Sequence, residues 1–233
     1  MFTLNKFTNS QLLIEDLVAN IVRELKLAIS QTGRASIAVS GGKTPIPLFT
    51  LLSRQDLNWS NIYVTLVDDR WVDDTNEASN EKLVMTYLLQ NKAQFANFIG
   101  LKNSCNNPFD GAEITDKVLT TKMPLPFDVL ILGMGDDGHT ASLFPGAANL
   151  MAGLDMNSGR KVIGMTPITA PFDRITLTLP TILESKNIYL HLIGQSKMDV
   201  LEKAEKNDDV SEMPIRAIIL QDKVNVTGFW SAI

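Results

Sequence analysis

One junction limits the possible folds of this chain more than any other feature. Residues 127–132 form a nearly unbroken apolar run that ends at Gly133-Met134-Gly135, and two acids, a third glycine and His139 follow at once. An apolar run of this length is typical of a strand buried on both faces of a parallel sheet. Ligands of open α/β sheets bind beyond the carboxyl ends of such strands. The junction therefore predicts a catalytic position for His139, one of only two histidines in the chain.

Short apolar runs alternate with segments of helical periodicity along the rest of the chain. Strands are predicted at residues 35–39, 62–67, 127–132, 161–165, 174–179, 187–193 and 223–227. Helices are predicted at residues 10–32 with Ser10 as N-cap, 45–52, 80–89, 110–121 with Asp110 and Glu113 as a capping box, 196–205 and 213–220, whereas residues 91–108 and 145–159 read as irregular. This alternation predicts an α/β fold, a doubly wound and mainly parallel sheet flanked by helices, with residues 1–233 in a single domain.

Composition removes several classes of function. The net charge is −5 and the basic residues are scattered, so no nucleic-acid surface is expected. No apolar run approaches the roughly 20 residues that span a bilayer, and the N-terminus lacks the features of a signal peptide. A lone cysteine, Cys105, fits a reducing compartment, and we expect a cytoplasmic protein. Two acidic pairs, Asp68-Asp69 and Asp136-Asp137, could hold Mg²⁺, although solvated or helix-capping acids are the more ordinary interpretation.

A glycine-rich segment follows the strand predicted at residues 35–39. It reads Ser40, Gly41, Gly42, Lys43 and Thr44, with Pro45 at the start of a predicted helix. Glycines let backbone amides approach an anion closely, and a helix N-terminus adds free N–H groups and partial positive charge. Phosphate binding is one prediction, and a plain strand–helix turn is the alternative. The segment lacks P-loop spacing, which argues against a nucleoside triphosphate.

His139 is the candidate general base of the chain. Histidine titrates near neutral pH and can take a proton from water, and Asp137 or Asp68 could hold its tautomer. The competing interpretation is a histidine that caps a helix. Residues 133–138 also match Gly-x-Gly-x-x-Gly, but their place in the middle of the chain argues against a dinucleotide. The second histidine, His191, lies inside a predicted strand and is expected to be a core or sheet-surface residue.

Three basic residues are candidate contacts for an anionic substrate. Arg70 follows Asp68-Asp69 at the end of a predicted strand, where a guanidinium could pair with a substrate oxygen or stabilise an oxyanion. A salt bridge from Arg70 to a neighbouring aspartate is an equally good interpretation. Arg174 begins a predicted strand, and Lys197 begins a predicted helix. Either could hold a phosphate, but each taken alone could equally be a solvated charge.

In their order along the chain, these segments resemble the 6-phosphogluconolactonase family. The resemblance lies in residues 40–45 (Ser-Gly-Gly-Lys-Thr-Pro), 68–72 (Asp-Asp-Arg-Trp-Val) with 79–81, 133–146, 174–178 and 194–197. The block at 133–146 is the most specific. Departures are few: Asp69 stands where the family usually has Glu, Lys43 where Ser or Thr is common, and Asn76 where His often occurs, which puts in doubt any role of that loop in proton transfer.

The related glucosamine-6-phosphate deaminases are the main alternative. They share the Ser-Gly-Gly loop and the glycine turn, but they have a functional Glu five residues after the histidine. Phe144 occupies that position here, so the lactonase interpretation is preferred. A phosphosugar-binding sensor without catalysis is a second alternative, and the intact His139 turn argues against it.

The resemblance implies hydrolysis of the δ-lactone of 6-phosphogluconate in the oxidative pentose phosphate pathway, without a metal or an organic cofactor. His139 would activate water, with Asp68 or Asp137 orienting it. Arg70 and backbone amides near Gly135 to Gly138 would stabilise the oxyanion. Residues 40–44, Arg174 and Lys197 would hold the phosphate. The expected partner is a small phosphosugar lactone, with no nucleic acid and no membrane, and the expected state is a monomer or weak homodimer.

Overall fold

Ten strands and eight α-helices make up the computed structural model, which describes all 233 residues. The strands are β1 (Phe2–Phe7), β2 (Ala35–Val39), β3 (Ile62–Leu66), β4 (Asp68–Arg70), β5 (Asn97–Ile99), β6 (Val129–Leu132), β7 (Val162–Met165), β8 (Arg174–Leu177), β9 (Ile188–Ile193) and β10 (Val226–Ser231). The helices are α1 (Ser10–Thr32), α2 (Ile46–Leu52), α3 (Asn80–Tyr87), α4 (Pro108–Lys122), α5 (Leu150–Leu154), α6 (Leu179–Leu183), α7 (Gln195–Ala204) and α8 (Arg216–Ile219). None of these helices is long and apolar enough to cross a membrane.

Seven of the strands form one sheet in the order β1-β10-β9-β6-β2-β3-β5, and every neighbouring pair in it is parallel. The central strands β2 and β6 are buried at every residue, and apart from Ser36 their sequences are apolar, as is typical of strands covered by helices on both faces. Their apolar side chains belong to a cluster of 57 buried hydrophobic residues. The prediction of a mainly parallel α/β sheet flanked by helices is confirmed.

A second sheet was not predicted. Strands β4, β8 and β7 form a three-stranded antiparallel sheet in that order. Asp68-Asp69-Arg70 follow β3 as predicted, but they form a strand of their own that pairs with β8. Three polar residues show neither alternation nor an apolar run, so no sequence pattern indicates this strand.

Two helix starts differ from expectation for a local reason. Asn9 rather than Ser10 caps α1, since its side chain accepts from the amide of Leu12 at 3.0 Å. Asn107 caps α4 in the same way, through the amide of Asp110 at 2.9 Å, so Asp110 and Glu113 form no capping box. Both predicted caps were placed too far along the chain, because the asparagine that ends the preceding loop offers the same short acceptor.

Four further short elements were not predicted from the sequence. They are the helices α5 and α6 and the strands β1 and β5, which are the two edge strands of the main sheet. Edge strands are partly exposed and carry mixed polar and apolar residues, so they lack the continuous apolar run that identified the central strands.

Candidate active site

A cavity of about 240 Å³ opens beyond the carboxyl ends of β2, β6 and β9. The second sheet forms its opposite wall through Asp68, Arg70 and Arg174. The predicted site residues that line the cavity are Ser40, Gly41, Gly42, Thr44, Asp68, Arg70, Gly135, His139, Arg174 and Lys197. Lys43, Asp137 and Gly138 do not line it.

His139 and Asp137 form a hydrogen-bonded pair at the mouth of this cavity. Nδ1 of His139 lies 2.5 Å from Oδ1 of Asp137, and the same oxygen accepts the backbone amide of His139 at 3.1 Å. Partial burial raises the pKa of Asp137, but the hydrogen bonds from His139 outweigh burial and leave that pKa below its ordinary value. An ionised Asp137 requires the proton of His139 on Nδ1, and Nε2 is then free to accept a proton.

Phe144 and Gly135 hold the imidazole from two sides. The ring of Phe144 stacks on that of His139 with centroids 4.1 Å apart and an interplanar angle of 24°. On the other side, a Cβ at Gly135 would lie 2.1 Å from Nδ1 of His139. Only glycine fits there, and the contact between Phe144 and His139 could not be predicted from the sequence.

The turn that carries His139 is tied together by its own backbone. The amide of Gly135 donates to the carbonyl of His139 at 2.8 Å, and the amide of Gly138 donates to the carbonyl of Gly135 at 3.1 Å. Of the amides predicted to stabilise an oxyanion, those of Gly135 and Gly138 are therefore already engaged within the turn. Gly138 has φ of +78° and lies against Met213, so its role is in the turn itself.

The loop after β2 presents unused backbone donors. The amides of Gly41, Gly42, Lys43 and Thr44 donate to no other group of the protein, whereas the neighbouring amide of Ser40 bonds the carbonyl of Ile131 at 3.1 Å. Free amides in succession are suited to an anion with several oxygens. The Lys43 side chain is exposed to solvent and does not line the cavity, and its contact with a ligand stays a prediction.

Arg70 and Arg174 lie opposite each other on β4 and β8 and both line the cavity. Arg70 donates to the carbonyl of Ala78 at 2.6 Å, and Arg174 to that of Pro171 at 3.1 Å; neither forms a salt bridge, contrary to one interpretation of Arg70. Burial lowers the pKa of Arg174, Asp68 opposes this change, and Arg70 adds to it. Two like charges placed opposite each other repel, and a bound anion would relieve that repulsion.

Asp68 does not reach His139. Its carboxylate accepts from the hydroxyl of Ser142 at 2.5 Å, and its backbone carbonyl accepts from the side chain of Asn80 at 2.8 Å. Ser142 belongs to the segment just after His139, so Asp68 fastens the catalytic turn to the second sheet. Of the two acids proposed to orient the histidine, only Asp137 is in contact with it.

The acidic pairs do not gather into a metal site. Asp136 forms an ion pair with Lys197, Nζ to Oδ1 2.6 Å, and Asp137 is bound to His139. Asp69 accepts from the amides of Asn80 and Glu81 at the start of α3, as a helix-capping acid does. No group of three or more His, Cys, Asp or Glu side chains lies close enough together to hold a metal ion.

His191 lies on the floor of the cavity, in β9, and is 4% exposed. Burial lowers its pKa to about 4. Since histidine in an unfolded chain titrates near 6.5, the unfolded state alone takes up this proton between about pH 6.5 and 4. Stability from the neutral imidazole is therefore complete above pH 6.5 and is lost as the pH falls.

We expect His191→Phe to remove the loss of stability that protonation of His191 causes at low pH. The free energy of unfolding of the variant, relative to wild type, should rise by about 2 kcal/mol between pH 6.5 and pH 5. Urea unfolding of both proteins at the two pH values measures it. The difference in free energy of unfolding between the two proteins is the quantity to compare. Burial raises the pKa of Asp69 to about 6, so in both proteins Asp69 makes stability rise as the pH falls, opposite to the effect of His191. An unchanged difference would mean that His191 is protonated equally in both states.

Known proteins are similar to this chain over almost its whole length. A family model described as glucosamine-6-phosphate isomerases/6-phosphogluconolactonase matches residues 8–227. A 6-phosphogluconolactonase of Rhizobium meliloti is 40% identical over 225 residues, which cover 97% of each chain. Another, of Pseudomonas aeruginosa, is 39% identical over 203 residues, which cover 87% of this chain and 85% of the relative.

Solved structures are similar in the same way. The crystal structure of a 6-phosphogluconolactonase from Shewanella baltica matches with a TM-score of 0.97 and 44% identity, and covers 100% of this chain and 98% of that one. A monomeric glucosamine-6-phosphate deaminase matches with a TM-score of 0.78 at 16% identity, over 97% of this chain and 96% of that one, which shows a shared fold.

Proposed function

Because this chain belongs to the glucosamine-6-phosphate isomerase/6-phosphogluconolactonase family, we propose that it hydrolyses 6-phospho-D-glucono-1,5-lactone to 6-phosphogluconate, a step of the oxidative pentose phosphate pathway. The observation that carries the proposal is the pair of His139 and Asp137 in the turn that lines the cavity. The lactonases of Rhizobium meliloti and Shewanella baltica match at 40% and 44% identity over nearly their full length.

In this reaction His139 acts as the general base. Asp137 holds the proton on Nδ1, so Nε2 takes a proton from a water molecule as its oxygen attacks the lactone carbonyl. The tetrahedral intermediate collapses by breaking the bond between the carbonyl carbon and the ring oxygen. His139 returns its proton to that oxygen, and the product leaves as an open-chain acid.

The phosphate is held at the wall that Gly41 shares with the second sheet. The side chain of Asn80 connects these parts, since it lies against Gly41 and donates to Asp68 beside Arg70. The free amides of residues 41–44 then face the same region as the Arg70–Arg174 pair, and a phosphate dianion compensates the two like charges.

The positive charge of Lys197 acts on the part of the substrate that reacts. Lys197 is anchored to Asp136, within the turn that carries His139, and its side chain is 23% exposed. Its ammonium group lies beside this turn and stabilises the oxyanion that forms on the carbonyl, since the Gly135 and Gly138 amides are already engaged.

Turnover of the lactone by the purified protein tests the function directly. We expect hydrolysis well above the spontaneous rate, undiminished after treatment with EDTA. Activity that is lost on chelation and restored by Mg²⁺ would instead support a metal site at the acidic pairs. Tight binding of 6-phosphogluconate without turnover would support a sensor, and release of ammonia from glucosamine 6-phosphate would support a deaminase.

Replacing Arg174 by alanine should act on binding. We expect KM for the phosphorylated lactone to rise about tenfold to a hundredfold with kcat little changed, because a charge-assisted contact to phosphate is made in both ground and transition states. The unphosphorylated lactone should be affected only slightly by the same change. The matched control is Arg160→Ala, an exposed arginine outside the cavity. An equal loss on both lactones would contradict a phosphate contact.

We further propose a single domain that works in the cytoplasm as a monomer or weak homodimer, without nucleic acid or membrane as a partner. One chain supplies every residue of the proposed mechanism, and one hydrophobic cluster packs against both sheets. Sedimentation at micromolar concentration tests the oligomeric state.

A further inference from the structure

Buried polar atoms without a hydrogen-bond partner are concentrated at the cavity. Four such side-chain atoms occur in the protein, and three of them, Nε of Arg70, Oδ1 of Asn80 and Nε2 of His191, belong to residues that line the cavity. A buried polar atom left unpaired costs about 1–3 kcal/mol. Three of the four therefore belong to side chains beside which a ligand in this cavity would lie.

His191 is the member of this group that has no part in the proposed reaction. It is 4% exposed, its side chain forms no hydrogen bond in the structure, and it interrupts an otherwise apolar strand. In the sheet it pairs with Phe229 of β10. Burial is the cause of its lowered pKa, and no neighbouring charge contributes. The floor of the cavity therefore presents a neutral imidazole.

A neutral imidazole and the charged groups suit different parts of the substrate. The phosphate and the developing oxyanion are anionic and are served by arginine, lysine and free amides. The lactone ring also carries hydroxyl groups at C2, C3 and C4, which are neutral and can both donate and accept. Imidazole nitrogens offer one donor and one acceptor and carry no charge that would compete for the phosphate.

We propose that His191 is a specificity-determining residue that hydrogen-bonds one ring hydroxyl of the lactone. This inference rests on the proposed function and deepens it. A site built to bond a hydroxyl discriminates strongly against an analogue that lacks it, because a buried polar group is then left unpaired.

The test compares wild type with His191→Phe, which keeps an aromatic ring and removes the nitrogens. We expect His191→Phe to lower kcat/KM for the phosphorylated lactone about tenfold to a hundredfold. Three further substrates lack the hydroxyl at C2, C3 or C4 in turn. On one of these three substrates, kcat/KM of wild type should fall by a similar factor. On that same substrate, kcat/KM of His191→Phe should equal that of wild type within about twofold.

His191→Gln provides the conservative variant. Its amide keeps a donor and an acceptor, so it should recover part of the loss on the complete lactone. If His191→Phe does not fold, as judged by thermal unfolding, the same comparison of substrates is made with His191→Gln, whose smaller loss should likewise vanish on one deoxy lactone.

Two outcomes would overturn the proposal. An equal fall of kcat/KM on all four lactones would indicate a purely structural role, and an unchanged kcat/KM would indicate no contact with the substrate. Failure of the proposed function is a separate result, because wild type itself would then not hydrolyse the complete lactone.

Discussion

Replacing His139 by alanine should lower kcat for the phosphorylated lactone by about a thousandfold and leave KM within a few-fold of wild type. Loss of a positioned general base costs about 10² to 10⁴ in rate, and here the same group also returns the proton to the ring oxygen. The substitution leaves the proposed phosphate contacts at Gly41, Arg70 and Arg174 in place, so binding should persist.

The measurement must separate enzymatic from spontaneous hydrolysis. Lactone loss is followed by NMR at a mildly acidic pH, with the buffer rate subtracted, and binding of 6-phosphogluconate is measured by calorimetry. His139→Gln is the matched control for packing, because a side chain of similar size still covers the ring of Phe144. Wild-type rates in either variant would show that another group activates the water.

The parts of the fold that could be predicted are those where burial alone decides the sequence. Strands β2, β6 and β9 are buried nearly throughout, so each is an apolar run, interrupted only by Ser36 in β2 and His191 in β9. Strand β4 is formed by three polar residues whose pairing partner, β8, lies about a hundred positions away. No local pattern encodes such a pairing, because it depends on where the two segments arrive in space.

The residues of the candidate site also divide into those that could be predicted from the sequence and those that could not. His139 could be located because it follows a buried strand and a glycine turn. The acid that orients it could not be chosen, since Asp137 and Asp68 are both near a strand end in sequence, and only the path of the turn brings Asp137 within 2.5 Å. The prediction of His191 as a core or sheet-surface histidine is confirmed, because it is buried inside the apolar strand β9.

Phe144 connects the sequence comparison with the geometry. At the position where deaminases have a functional acid, this chain has a ring that stacks on His139, and the guanidinium of Arg174 lies 5.6 Å from the centre of the same ring. An acid at this position would face an arginine and change the charge beside the base. The aromatic ring keeps the imidazole in place without adding a second titrating group.

The second large effect is expected at Gly135, which does no chemistry itself. A methyl group there would lie 2.1 Å from Nδ1 of His139 and 2.6 Å from Oδ1 of Asp137, both far closer than non-bonded contact allows. The backbone of Gly135 is fixed by its bond to the carbonyl of His139, and Phe144 blocks the other face of the imidazole. The smallest rearrangement that removes these overlaps separates the side chains of His139 and Asp137.

Gly135→Ala should therefore lower kcat about a hundredfold, since a misplaced base loses most of its advantage. The melting temperature should change by only a few degrees, because the pair is partly exposed. The double variant Gly135→Ala/His139→Ala tests the cause. If the methyl group acts through the histidine, the double variant should be as active as His139→Ala alone. Multiplied losses would mean instead that Gly135 contacts the substrate, and full activity of Gly135→Ala would show that the observed pair is not the catalytic arrangement.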